Sequence, residues 1–281
     1  MMEIKRKPEW LKIKLPTGEK YRELKTLIDG EGLHTICVSG KCPNQAECWA
    51  AGTATLMILG DVCTRACKFC ATQTGKPLPV RESEPASVAN TVRTLKLKHA
   101  VLTSVDRDDL RDYGAGHWAA VIREVQRANP GVSIEALIPD FSGKAELIDL
   151  VCSTKAEVIS HNLETVRRLT PLVRSKANYD RSLDVLKRIA FNGVTAKTGI
   201  MVGLGETREE IIETMRDAFE AGCDIMTIGQ YLQPTKAHLP VERYVTPGEF
   251  AEYKKLGEEL GLRLVESAPL VRSSYHAEKH L

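Results

Sequence analysis

Three cysteines stand close together at Cys63, Cys67 and Cys70, spaced C-x3-C-x2-C. Thiolates this near in sequence are arranged to share one metal centre. The number of donors decides what that centre can do. A structural zinc site closes with four protein ligands, and an iron–sulfur cluster is ordinarily held by four cysteines. Three thiolates leave one metal position open, and an open position can hold a substrate or a cofactor. The other reading is a closed zinc or cluster site completed by a residue elsewhere in the chain, such as a histidine.

A second triad lies upstream at Cys37, Cys42 and Cys48, spaced C-x4-C-x5-C and followed by Trp49. Gly40 and the Pro43-Asn44 pair supply turns that let this stretch wrap a compact centre. No histidine lies within it, and the nearest, His34, precedes the first cysteine. Zinc remains an alternative here, but the pattern reads as a second cluster whose fourth ligand is distant in sequence. Near the far end of the chain, Val271-Arg272-Ser273-Ser274-Tyr275-His276-Ala277 is either an exposed polar tail or the source of that ligand. A seryl oxygen is a hard ligand for iron and more labile than a thiolate, which matters if the cluster must come apart. Cys152 and Cys223 stand alone in apolar surroundings and read as inert core residues.

The elements that must position these residues alternate. Strand-like runs cover residues 53–60, 99–106, 133–140, 158–162, 195–203 and 224–230. Helix-like patterns cover residues 86–97, 117–128, 144–151, 180–191, 207–221 and 247–260. Thr207 with Glu210, and Thr246 with Glu249, spell capping boxes, the second with Pro247 at the first helical position. Ile211, Met215 and Phe219 follow the first box as one apolar face. Strict strand–helix alternation predicts a parallel sheet with right-handed crossovers. A doubly wound sheet is the rival, weakened because no G-x-G-x-x-G follows the first strand. The first cysteine loop follows the first strand, and a parallel barrel carries its chemistry at the C-terminal ends of its strands.

A C-x3-C-x2-C loop after a first strand resembles the signature of the radical S-adenosylmethionine (SAM) enzymes. That resemblance implies an α/β fold, a partial (β/α)6 TIM-type barrel of parallel strands with N- and C-terminal extensions. It also implies a 4Fe–4S cluster on Cys63, Cys67 and Cys70, with the amino and carboxylate groups of SAM on the fourth iron. Thr103 and Ser104, within the segment running to Asp109, are then placed to bind the polar end of SAM, although Asp108 and Asp109 read equally as caps for the next helix. Asn162 and Glu164 suit its ribose hydroxyls or ammonium, while the neighbouring His161 reads as a packed, hydrogen-bonded histidine. Lys197, on an otherwise small and apolar strand, needs a charged partner, either a SAM carboxylate or a nearby Glu. Tyr231 is either an adenine wall or core.

The two triads, the run Gly52-Thr53-Ala54-Thr55, the Thr103–Asp109 segment and the terminal Arg272-Ser273-Ser274-Tyr275 together resemble the lipoyl synthase family, from about residue 31 to residue 277. That resemblance implies an auxiliary 4Fe–4S cluster on Cys37, Cys42 and Cys48 with Ser274 as its fourth ligand. It implies sulfur insertion at two carbons of an octanoyl chain, one SAM for each, the auxiliary cluster being consumed as the sulfur source. The implied partners are an octanoylated lipoyl carrier protein or domain, a small electron-donor protein and an iron–sulfur cluster carrier. The implied organisation is an extension over residues 1–52, a barrel over 53–261 and a terminal segment over 262–281 that carries the serine.

Composition agrees with such a protein. The chain has 281 residues, and single α/β barrels run to roughly 200–250. Hydrophobic residues make up 43% and charged residues 27%, ordinary for a globular protein. A net charge of +2 exerts no strong pull on nucleic acid or membrane. No apolar run reaches the length of about 18 residues that spans a bilayer. The start of the chain lacks the apolar core of a signal peptide, and clustered cysteines then point to metal binding in a reducing cytoplasm. Lys5, Arg6, Lys7, Lys12 and Lys14, with Trp10 among them, make either a solvated arm or a docking surface for an acidic protein.

Overall fold

The computed structural model describes residues 6–12, 33–40, 42–50 and 55–274, with single positions at 22, 26, 28, 30 and 277. Lys5, Lys14, the Gly52–Ala54 run and Tyr275 lie outside the described residues.

In chain order the first elements are β1 (His34–Thr35), α1 (Ile36–Ser39), α2 (Gln45–Ala50), β2 (Thr55–Ile58), β3 (Val62–Cys63) and β4 (Gln73–Thr74). Then come α3 (Glu84–Thr94), β5 (His99–Ser104), α4 (Ala115–Ala128), β6 (Ser133–Leu137), α5 (Ala145–Cys152), β7 (Val158–Ser160), α6 (Thr170–Val173) and α7 (Tyr179–Phe191). The chain continues through β8 (Thr195–Val202), α8 (Arg208–Glu220), β9 (Ile225–Gln230), α9 (Pro247–Glu259) and β10 (Leu264–Ser267).

The expected strands are β2, β5, β6, β7, β8 and β9, and they are successive neighbours in one sheet of order β1-β2-β5-β6-β7-β8-β9-β10. All pairings from β2 to β10 are parallel, and only β1 runs antiparallel, against β2. The sheet ends at β1 and β10 and therefore stays open. Every residue of β2 and of β9 is buried, as expected of a parallel sheet covered by helices.

Both capping boxes form as read. The Thr207 hydroxyl accepts from the Glu210 amide while the Glu210 carboxylate accepts from the Thr207 amide, and Thr246 and Glu249 do the same. The predicted face of α8 drifts, however. Successive steps of four residues rotate by about 40° each on a helix of 3.6 residues per turn, so Phe219 has swung away and is 43% exposed. The core side is instead Ile211, Thr214, Met215 and Ala218. Nor do Asp108 and Asp109 cap α4: they pair with Arg65 and Arg107, and Asp112 accepts from the Gly114 and Gly116 amides at that helix's start.

The C-terminal strand ends all face one way. They carry the first cysteine loop, the segment after Ser104, Asp140, the turn from His161 to Glu164 and the loop beyond Gln230.

Candidate active site

The first cysteine loop is tied down along its length. The Thr64 amide and hydroxyl both donate to the Asp106 carbonyl, at 3.1 and 2.9 Å. The Lys68 amide donates to the Val173 carbonyl at 2.9 Å, and the Ala66 amide to the Ser175 hydroxyl at 3.0 Å. His238 donates from Nε2 to the Cys70 carbonyl at 2.9 Å, since a carbonyl can only accept, and its Nδ1 faces the Thr235 hydroxyl at 2.8 Å. The Cys63 sulfur accepts from the Arg65 and Asp106 amides, each at 3.4 Å.

Within the loop, Arg65 is buried and clamped. Its guanidinium meets Asp108 at 2.8–3.2 Å, Asp140 at 2.7 Å and Asp106 at 3.3 Å. Burial disfavours charge on both Arg65 and Asp140, but hydrogen bonding outweighs it: the bonds to Asp108 and then Asp140 keep Arg65 protonated, and the bond from Arg65 holds Asp140 well below the usual carboxylate range. Asp106 goes the other way, raised by burial more than Arg65 lowers it. Burial, with Asp106 adding to it, pushes the Cys63 thiol up to about 11, and burial also raises Cys67. A metal that binds here must displace those protons.

A cavity of about 140 Å³ opens beside the loop, with Cys63, Cys67 and Cys70 in its wall. Thr103, Ser104, Asn162 and Glu164, the residues singled out for SAM, line it as well, together with Asp106, Asp140, His161 and Arg174. Asn162 donates from Nδ2 to Glu164 Oε1 at 3.1 Å. Glu164 adopts a left-handed backbone, φ 68°, held by its amide on the Gly199 carbonyl and by the Met201 amide on its own carbonyl. Gly199 belongs to this floor: a Cβ there would lie 2.4 Å from the Thr227 hydroxyl and 3.2 Å from Asn162 Oδ1.

Lys197 is not brought to the cavity. Its ammonium lies 2.7 and 2.8 Å from the two oxygens of Glu135, and both side chains are fully buried. Its charged partner is thus Glu135, two strands away on β6, which places Lys197 in the core in place of the expected cofactor contact. Tyr231 is core too, with its hydroxyl on the Leu239 carbonyl at 2.8 Å. Cys152 and Cys223 are buried thiols, Cys152 pushed up to about 12.

The second triad sits on α1, α2 and the turn between them. The Cys42 amide donates to the Cys37 carbonyl at 3.0 Å, and the Cys48 amide to the Asn44 carbonyl at 2.9 Å. Burial raises the Cys37 and Cys42 thiols. Thr55, at the start of β2, hydrogen-bonds Cys37 through its backbone amide. Thr55 Oγ1 also donates to Ser274 Oγ at 2.8 Å, so the terminal serine meets the triad through one shared residue. Asn44 Nδ2 ties the same segment down at the Leu270 carbonyl, 2.7 Å away. Arg272 is an electrostatic neighbour of Cys42.

These donor sets suit iron–sulfur clusters better than zinc. His161 is the histidine in the cavity wall, and both of its ring nitrogens are committed, to the Ile138 carbonyl at 2.9 Å and the Ser182 hydroxyl at 3.0 Å. It offers no fourth ligand to the first triad. Among the described residues, no three His, Cys, Asp or Glu side chains converge on a single ion. Arg65, Asp140 and Arg174 had no role from sequence, and Thr55 and Arg272 entered only as members of the family motifs. An arginine between two cysteines of a metal loop was the one local signal; the others meet the site only through the fold.

A profile of the radical SAM superfamily matches residues 57–218. A lipoyl synthase of Bacteroides thetaiotaomicron is 61% identical over 276 residues, 98% of this chain and 98% of that one. A lipoyl synthase of Phocaeicola vulgatus is 60% identical over 98% of this chain and 97% of its own. Among solved structures, Streptococcus suis SuiB bound to S-adenosylmethionine superposes with a TM-score of 0.57 at 12% identity. That superposition covers 84% of this chain and 52% of SuiB, and it speaks to the fold alone.

Proposed function

This chain belongs to the lipoyl synthase family of the radical SAM superfamily, and from that premise we propose which of its residues carry the reaction. The reaction is the insertion of two sulfur atoms into the octanoyl chain of an octanoyl-lysyl carrier protein, with SAM and 4Fe–4S clusters as cofactors. When bound, these groups supply the radical that breaks an unactivated C–H bond and, from the auxiliary cluster, the sulfur that replaces the hydrogen.

The side chains hold, orient and exclude water. Cys63, Cys67 and Cys70 hold the SAM-binding cluster, on a loop that Arg65 fixes to the barrel face through Asp106, Asp108 and Asp140. Thr103, Ser104, Asn162 and Glu164 bind the polar part of SAM. Lys197 has no part in that binding. Cys37, Cys42, Cys48 and Ser274 hold the auxiliary cluster. The observation that carries this last assignment is Thr55, whose backbone amide hydrogen-bonds Cys37 and whose hydroxyl donates to Ser274 Oγ at 2.8 Å. The alternative, Ser273, points elsewhere, to Asn162.

Functionally, residues 53–261 form the radical SAM barrel, and the flanking segments 1–52 and 262–281 supply the auxiliary ligands. A small redox protein delivers electrons, and an iron–sulfur carrier rebuilds the auxiliary cluster. The arm around Arg6, Lys7 and Lys12, with Trp10 exposed, supports docking of an acidic carrier domain. No described helix is long and apolar enough to cross a membrane, and we place the enzyme in the cytoplasm.

Ser274→Ala tests the ligand assignment. At saturating SAM the variant should cleave SAM nearly as well as the parent and insert no sulfur. Normal lipoyl product from it would overturn the assignment.

A further inference from the structure

Adjacent serines at the end of the described chain face different sites. Ser274 reaches Thr55 at the auxiliary triad, and Ser273 Oγ donates to Asn162 Oδ1 at 3.3 Å, in the wall of the SAM cavity. Their Cα atoms are separated by one peptide link, about 3.8 Å. Upstream the segment is anchored: the Ala268 amide sits on the Ile228 carbonyl, the Gln230 amide on the Pro269 carbonyl, and Asn44 holds Leu270. Val271 lies so close over β9 that a Cβ on Gly229 would be 2.1 Å from its carbonyl oxygen. Past that anchor, the Ser273–Asn162 and Thr55–Ser274 bonds hold successive residues against the barrel.

Asn162 is not a passive acceptor. Its other amide atom donates to Glu164, so Ser273, Asn162 and Glu164 form one hydrogen-bonded chain, and a ligand that takes Asn162 or Glu164 as its partner perturbs the amide that Ser273 holds. We propose that Ser273 is a positioning residue that couples occupancy of the SAM pocket to the placement of Ser274 on the auxiliary cluster. The proposal rests on Ser274 being that cluster's ligand. The coupling is reciprocal: whatever factor SAM applies to Ser274 ligation, the ligation applies to SAM affinity.

The test is a double-mutant cycle on the reconstituted, oxidised holoprotein, in which SAM binds without turnover. SAM affinity is measured by equilibrium dialysis for the parent, Ser273→Ala, Ser274→Ala and the double variant, and Mössbauer spectra are recorded for each. Ser274→Ala should change SAM affinity by about five-fold or more in the parent and leave it unchanged in the Ser273→Ala background. Adding SAM should shift the spectrum of the oxygen-ligated iron in the parent but not in Ser273→Ala, and Ser273→Thr should restore the shift. Independent, additive effects, or no effect of Ser274→Ala on affinity, would overturn the coupling. If Ser274→Ala leaves the auxiliary spectrum unchanged, the ligand assignment itself falls, and the coupling with it.

Discussion

His161 shows how burial sets the chemistry of a single group. The ring is enclosed between β7 and α7, and burial, helped by the nearby Arg174 and Arg65, lowers its pKa from 6.5 to about 4 against the opposing pull of Asp140. The folded protein therefore binds fewer protons than the unfolded chain between pH 6.5 and about 4. Stability from this group is complete above that window and lost as pH falls through it, by about 2 kcal/mol between pH 7 and 5. Urea titrations at those two pH values should show the loss in the parent, and His161→Gln should remove about that much of the pH dependence. An unchanged pH dependence in the variant would contradict the buried, neutral ring. That the ring is packed was legible from its place at the end of an apolar strand. Its partners were not, because Ile138 and Ser182 come from other elements.

At the scale of elements, the features read correctly from sequence were those closed within a few residues. The capping boxes at Thr207 and Thr246 involve residues three apart. The six strands were legible because parallel strands buried on both faces are continuous apolar runs. What escaped depends on neighbours. β10 is a half-polar run of four residues, Leu264–Ser267, that becomes a strand by pairing with β9. β1 exists through its two pairings with β2. The partner of Lys197 lies two strands away, on β6. The contact of the terminal segment with β9 leads to a prediction at this scale. Gly229→Ala should lift Val271 off the sheet, since the added methyl has no room. Iron analysis and Mössbauer spectroscopy should then show a disturbed auxiliary cluster, with SAM cleavage by the first cluster retained. A parent-like auxiliary spectrum would show that the segment does not need its seat on Gly229.

Over the whole molecule, the two cysteine triads flank β2 in sequence, and the fold brings Ser274 from the far end of the chain to Thr55 beside the first of them. The sheet itself is pinned internally by Glu135 and Lys197, with the Ser160 hydroxyl donating to Glu135 at 3.3 Å between them. Removing one member of a buried pair leaves the other charge uncompensated, a loss of about 3–5 kcal/mol, whereas replacing both with apolar residues of similar volume is often neutral. Glu135→Gln should therefore destabilise strongly, and Lys197→Met combined with Glu135→Leu should recover most of the loss, with SAM affinity like the parent's. Weakened SAM binding in the well-folded double variant would return Lys197 to the cofactor site. The central claim, that this protein inserts sulfur, is tested most directly by one anaerobic turnover. Reconstituted protein, SAM, a strong reductant and an octanoyl-lysyl peptide are mixed, and the peptide is read by mass spectrometry. The account predicts a peptide carrying two added sulfur atoms, with 5′-deoxyadenosine formed alongside. Deoxyadenosine with an unmodified peptide, from protein whose auxiliary cluster is intact, would contradict it.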